Sequence, residues 1–545
     1  MLLKTRRRKF WGWGYEGDGL TAADVADLRK SLGSRFGLSH AKLEEAPRIE
    51  DIQLREPRIS PPRSFGEILS TDRWDRAEHT LGQAYQDLIR GMRGQYQHPP
   101  DLVAFPRNEA DIVALCEWCS DERVAVIPYG GGSSVAGGVE PDVGDGFTGT
   151  VSIDLRHLDK VLELDRNSRA ARIQAGVLGP DLENQLRPHG LSLRHFPQSF
   201  EMSSLGGWIA TRAAGHHAVL NTYIDDYVES LRVVTPRGIV ETRRVPASGA
   251  GPAPDRLFMG SEGILGIITE SWVRLLDRPR FRASATIEFD SFARAADAVR
   301  EIAQSGLYPA NCRLLDPDQV LLSNSGDGTM SLLIVTFESA HHEMQPELIQ
   351  ALEICRASGG RTQGDSLEKE VAEGTRQDGA SGRWREWFIR AGHTRDAMIR
   401  MGIMNSTFES SIPWSHFPEF NARVLEVTRA AVKEVCGVGL VCCRLAYAYP
   451  DGPAPYYTVV APARRGSELQ QWAAIKDAAS EATLSLGGTI THHHAVGRYH
   501  RPWYDRERPP LFADALRAAK EVLDPAGVMN PGVLIDPQPQ QGHSG

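Results

Sequence analysis

The sequence predicts an α+β protein of more than one domain, on three observations. The chain runs to 545 residues, where a typical domain takes ~100–200. Helical and strand patterns mix irregularly up to about residue 278, which argues against a regular doubly wound sheet. From about residue 280 a strand–helix–strand rhythm starts again, the mark of a second α+β unit.

The elements follow in chain order. Residues 1–97 are polar, rich in Arg and Pro, and helix-prone, with no catalytic pattern. Asn108 reads as the N-cap of a helix reaching about residue 120, and residues 124–128 as a short apolar strand. Residues 150–155 and 171–175 alternate like half-buried strands. Residues 178–189 read as a helix stopped by Gly190. A hairpin is expected over 231–242 and a further strand over 265–276. In the second unit, 283–289 and 331–338 read as strands, and 292–305 and 345–357 as helices. A last helix covers 510–523, and the final ten residues are expected to be disordered. The expected boundaries are therefore 1–97, 98–279, 280–485 and 486–545.

Composition excludes several classes. A net charge of −9 argues against nucleic-acid binding, which needs a basic footprint. The basic start is followed by Trp11-Gly-Trp-Gly14 instead of an apolar run, so it is no secretory signal. No window reaches the ~18 apolar residues of a membrane span, although surface attachment through an amphipathic segment stays open. The seven cysteines imply no disulfide framework, and a reducing, cytoplasmic setting is expected. Cys116 and Cys119 share a helix face with Ile112 and Leu115, so they read as core, and no metal site is expected.

The strongest chemical signal is Pro128-Tyr-Gly-Gly-Gly-Ser-Ser134, directly after a strand. Gly130, Gly131 and Gly132 let the backbone turn tightly and present N–H groups to an anion, and Ser133 and Ser134 add hydroxyls. The motif is neither G-x-G-x-x-G nor a P-loop. Three further segments carry similar small-residue character. Gln198, Ser199, Phe200, Glu201, Met202, Ser203 and Ser204 lead into a Gly-Gly helix start. Thr211, Arg212, Ala213 and Ala214 follow, with Thr211 and Arg212 suited to phosphate. Glu262, Gly263, Ile264, Leu265, Gly266, Ile267 and Ile268 form a strand whose glycines leave room for a flat ring.

In this order and spacing the four segments resemble the FAD domain of the vanillyl-alcohol-oxidase (PCMH-type) flavoprotein superfamily. The resemblance implies a two-subdomain FAD-binding domain, an α+β cap domain with an antiparallel sheet, and a C-terminal segment returning to the FAD domain. Lys9-Phe-Trp-Gly-Trp-Gly-Tyr15, Thr407-Phe-Glu-Ser-Ser-Ile-Pro-Trp414 and Thr491-His-His-His-Ala-Val-Gly497 narrow it to the alkyldihydroxyacetonephosphate synthase family. That family implies non-covalent FAD and a transferase. The acyl chain of acyl-dihydroxyacetone phosphate is exchanged for a long-chain alcohol through a flavin N5 adduct, without net redox change. The implied partners are a phosphorylated ketone lipid and a long-chain alcohol, with peripheral membrane contact and a homodimer as further expectations.

The resemblance assigns catalysis to Tyr457 and to His492, His493 and His494, and substrate binding to Arg444 and Arg313. Physical chemistry suits those types: imidazole titrates near neutrality, and a buried guanidinium in an apolar strand needs an anion. Two alternatives stay open at this level. Tyr456 would point to the opposite strand face if the alignment slipped by one residue, and Arg313 could pair with Asp316 instead of a substrate. On an extended chain His492 and His494 would face one way and His493 the other. The tail at 523–534 resembles that of FAD-linked 2-hydroxy-acid dehydrogenases, so an oxidoreductase of that type is the alternative function. A short 316–331 segment stands where the synthase family carries an insertion, which leaves membrane docking open.

Overall fold

The computed structural model describes residues 6–38, 42–362 and 379–536, so the expected disordered tail, apart from Asp536, lies outside them. The first sheet joins β1 (Leu69–Ser70), β2 (Leu102–Ala104), β3 (Val124–Tyr129) and β4 (Gly149–Asp154) in the order β1-β2-β4-β3. β4 runs parallel to both β2 and β3. Every residue of β4 is buried, where its sequence suggested a half-buried strand. A central parallel strand is covered on both faces, and small residues such as Thr150 and Ser152 fill it without marking an outer side.

The second sheet is antiparallel, β5 (Val161–Asp165), β6 (Ala170–Gln174), β8 (Val228–Thr235), β9 (Gly238–Glu241) and β10 (Ile267–Arg274), in the order β5-β6-β10-β8-β9. A two-residue strand β7 (Leu191–Ser192) pairs with β11 (Leu276–Asp277). The helix expected over 178–189 forms as Gly179–Leu186 followed by a 3-10 turn, Arg187–His189, and Gly190 ends it at φ +72°. Asn108 caps Glu109–Asp121 through the Asp111 amide, and Cys116 and Cys119 lie on its buried face. All seven cysteines are free.

The third sheet holds β12 (Phe281–Phe289), β13 (Asn311–Leu315), β14 (Ser331–Ser339), β15 (Arg361–Thr362), β16 (Ile403–Glu409), β17 (Leu440–Ala448) and β18 (Pro453–Pro462). Its order is β15-β12-β14-β13-β17-β18-β16, and every pairing is antiparallel. Helices Phe292–Gln304, Gln345–Ala357, Phe417–Cys436 and Glu468–Ser485 pack their apolar stripes against it.

The chain then returns to the first sheet. The Val126 amide donates to the Val528 carbonyl, and the Asn530 amide donates to the Val126 carbonyl. The buried Lys520 ammonium ties this return together, donating to the carbonyls of Ile264 and Met529 and to the Asp524 carboxylate. The N-terminal segment, read as free of chemistry, also packs inward. The Arg8 guanidinium donates to the Gly130 carbonyl, and the Trp13 amide donates to the Asp396 carboxylate.

Candidate active site

One cavity of about 320 Å³ lies where these parts meet. The glycine turn after β3 forms one wall. Among the described residues, no backbone acceptor takes the amides of Gly130 to Ser134. The turn lies so close to the 202–204 segment that only glycine fits. A Cβ at Gly131 would stand 1.8 Å from the Met202 carbonyl oxygen, and one at Gly130 2.2 Å from Ser204 Oγ. Gly263, at φ +77°, is pressed against Pro128 in the same way. These free amides, set in a cradle without side chains, suit a pyrophosphate.

Most of the sequence-predicted cradle lines this cavity: residues 128–134, Gln198, Ser199, Ser203, Ser204, Thr211, Ala213, Ala214, Glu262, Gly263, Gly266, Ile267 and Ile268. Six residues do not. Phe200, Glu201 and Met202 form a 3-10 turn, with Phe200 stacked on Trp208. Arg212, at φ +51°, turns outward to pair with Asp225. Ile264 and Leu265 are fully buried core. Glu262 also braces the chain beyond the histidine triplet. Its carboxylate accepts the amides of Val496 and Gly497, and burial pushes its pKa up to about 7 against those bonds.

The third sheet supplies the opposite wall, and here the structure departs from two expectations and closes one open alternative. Tyr457 does not reach the cavity. It is wholly buried, stacks on Phe408 and donates to Asn421 Oδ1 at 3.0 Å. Tyr456, one residue earlier and therefore on the other face, lines the cavity instead. The histidine triplet is no extended strand. The amides of His492, His493 and His494 all turn onto the Glu409 carboxylate at 2.5–3.1 Å, with Thr491 Oγ1 donating as well. His493 and His494 therefore both line the cavity, while His492 points away and shares a hydrogen bond with the Tyr449 hydroxyl. Lastly, Asp316 is not the partner of Arg313. Its carboxylate caps the helix Pro317–Leu322 at the Gln319 amide and also accepts the Cys443 amide.

Arg313 and Arg444 stand side by side. Arg444 pairs across the ladder with Leu315, which shares a strand face with Arg313. Both are at least 96% buried, both line the cavity, and among the described residues neither makes an ion pair. Burial, and then the charge of Arg444, lowers the Arg313 pKa to about 10. Burial lowers Arg444 as well.

Burial sets the state of the other groups. It pushes His493 to about 3 and His494 to about 4 against the pull of Glu409, so both are neutral at pH 7. Burial alone would raise Glu409, but the backbone amides that donate to it, that of His493 among them, hold it well below the carboxylate range. Glu409, His492 and His493 also bring ligand-type atoms within 4.8 Å, yet both Glu409 oxygens are already taken by backbone amides. Lys476, from helix Glu468–Ser485, also lines the cavity. Its Nζ meets His500 Nε2 at 2.8 Å, and burial lowers it to about 8. Glu409 and Lys476 escaped sequence reasoning, and Tyr456 entered it only as the alternative to Tyr457. Glu409 ends β16, and its place within the Thr407–Trp414 segment is the local signal that could have marked it.

The two-subdomain fold, the cap sheet and the glycine cradle define a flavoprotein of the FAD-linked oxidase type. A family described as an FAD binding domain matches residues 100–243, and one described as the C-terminal domain of FAD linked oxidases matches residues 278–534. Alkyldihydroxyacetonephosphate synthase of Dictyostelium discoideum is 31% identical over 526 residues, 90% of this chain and 84% of that protein. The Trypanosoma brucei brucei enzyme of the same name is 30% identical, over 92% and 84%. A solved structure of alkyldihydroxyacetonephosphate synthase superposes with a TM-score of 0.79 at 25% identity, over 97% of this chain and 98% of that one. The chain belongs to the alkyldihydroxyacetonephosphate synthase family, and its cofactor is FAD. Among the described residues, no helix is long and apolar enough to cross a membrane.

Proposed function

We propose that the protein exchanges the acyl chain of an acyl-dihydroxyacetone phosphate for a long-chain alcohol, forming an ether bond. The observation that carries this reading is the buried Arg313–Arg444 pair. It offers two positive charges, without an acidic partner among the described residues, to the cavity that the glycine cradle also lines. Bidentate guanidinium donors suit a phosphate group. In the net reaction the carbon–oxygen bond to the acyl carboxylate breaks and one to the alcohol forms. The alcohol's proton balances the departing carboxylate. FAD, when bound in the glycine cradle, would supply an electron-accepting ring to the reaction.

The side chains divide the remaining work. Neutral His493 and His494 accept the proton from the carbon beside the ketone. The Tyr456 ring lies 5.3 Å from His494 and 5.9 Å from His493 in the cavity wall, and its phenol is the group that passes a proton to the leaving carboxylate. The test is incubation of FAD-loaded protein with acyl-dihydroxyacetone phosphate and labelled hexadecanol. Labelled ether product with an equal yield of fatty acid is expected. Anaerobic bleaching of the flavin by a 2-hydroxy acid, with no alcohol incorporated, would instead establish the oxidoreductase alternative.

A further inference from the structure

Two buried guanidinium groups side by side repel each other, and an unpaired buried charge is costly. What surrounds Arg444 explains how the fold tolerates it. Its Nη2 donates to Gln198 Oε1 at 3.3 Å, across the boundary between the FAD domain and the cap. Among the described residues its Nε and Nη1 have no hydrogen-bond partner, and neither has Arg313 Nε. The remaining contacts are aromatic faces. The Arg444 guanidinium lies 3.9 Å from the Tyr456 ring centroid and 5.2 Å from that of Trp384. Arg313 lies 5.8 Å from the same Trp384 ring. Trp384 is itself 97% buried, in the small core it shares with Leu315 and Ile334, so its position is fixed by the sheet.

The chemistry of these neighbours is all of one kind. Ring quadrupoles attract a cation, and a neutral amide orients it, but neither removes its net charge. A carboxylate in the place of Gln198 would. The acid next along β13, Asp316, is spent on two backbone amides.

We infer that Gln198 and Trp384 are positioning residues that hold Arg444 in place without neutralising it. The Arg313–Arg444 pair thereby stays charged as a receptor for a phosphomonoester dianion in preference to a carboxylate. The inference rests on the proposed reading of the arginine pair as the substrate's phosphate site. It goes beyond that reading in naming what keeps the site charged, and it gives Gln198, expected from sequence to touch FAD, a second role.

The test is calorimetric titration of the FAD-loaded protein with inorganic phosphate and with glycerol 3-phosphate. Gln198→Glu supplies a counter-ion of nearly the same shape and is expected to weaken binding ~10–100-fold. Gln198→Ala removes orientation but not charge and is expected to weaken it only ~3-fold. Trp384→Leu should cost ~10-fold, and Trp384→Phe, which keeps an aromatic face, should stay within ~3-fold of wild type. The flavin absorbance of each variant reports that the fold and cofactor are retained. If Gln198→Glu cannot hold FAD, the two Trp384 variants decide the matter. Equal weakening by Gln198→Glu and Gln198→Ala would overturn the inference, as would phosphate affinity indifferent to Trp384→Leu. Wild-type protein that binds phosphate in the expected pattern but incorporates no alcohol refutes the proposed reaction alone. Alcohol incorporation by Gln198→Glu with an unchanged KM for the phosphorylated substrate refutes this inference alone.

Discussion

Tyr456 and Tyr457 are chemically identical, adjacent, and opposite in consequence. The first stands between Arg444 and the imidazoles, and the second is sealed against Phe408 and Asn421. Tyr456→Phe is expected to lower the exchange rate ~100-fold with little change in stability. Tyr457→Phe should keep the rate but lose about 1 kcal/mol of stability with its buried hydrogen bond. Rate assays and urea unfolding on both variants check the pair. Sequence alternation separates the two faces of β18 but does not say which one meets the cavity. All of β18 except its last residue is buried, so neither face carries the polar marking of a solvent side.

At the level of elements, turns decide the site. The turn after β3 approaches the 202–204 segment so closely that a methyl group at position 131 has no room. Gly131→Ala is expected to abolish FAD retention while leaving the cap sheet folded, read as flavin per protein against far-ultraviolet circular dichroism. The histidine turn depends on Glu409 in an analogous way, since the carboxylate gathers three successive amides. Its folded pKa is depressed, so its contribution to stability is present above the unfolded value of ~4.3 and is lost as pH falls below it. Glu409→Gln should therefore be less stable than wild type at pH 7, with the gap narrowing below about pH 4. Urea midpoints at the two pH values measure this; a gap that widens in acid would contradict it. The same turn explains why the triplet defeats a strand reading. Alternation assumes an extended backbone, and a buried anion curls this one.

Across the whole molecule, the cavity is assembled from five stretches of chain that share no local pattern: the N-terminal segment, both FAD subdomains, the cap sheet and the returning C-terminal segment. A ligand bound there contacts all of them, so binding stabilises the folded state as a unit. FAD at ~100 times its dissociation constant is expected to add about 2.7 kcal/mol, seen as a rise in melting temperature that grows with FAD concentration. A melting temperature unaffected by FAD would show that the cradle does not bridge the parts. The interface also carries fixed charge. Glu338 of the cap joins Arg194 of the FAD domain to Arg282 on the neighbouring strand, which ties the two domains together.

The sequence by itself determined the α+β class, the order of most strands and helices, and the glycine cradle, because each of these rests on neighbours within a few residues. Turn chemistry, capping and apolar periodicity are local, and they are legible wherever one face of an element differs from the other. Only the tertiary structure decided which side chains meet. Gln198 and Arg444 lie 246 residues apart, and Glu409 stands 83 residues before the first amide it holds. Whether a buried arginine is discharged by an acid or left charged for a ligand depends on partners brought in from other elements. No spacing in the chain encodes that outcome directly; packing does, by fixing which face of each strand is turned to the cavity and which to the core.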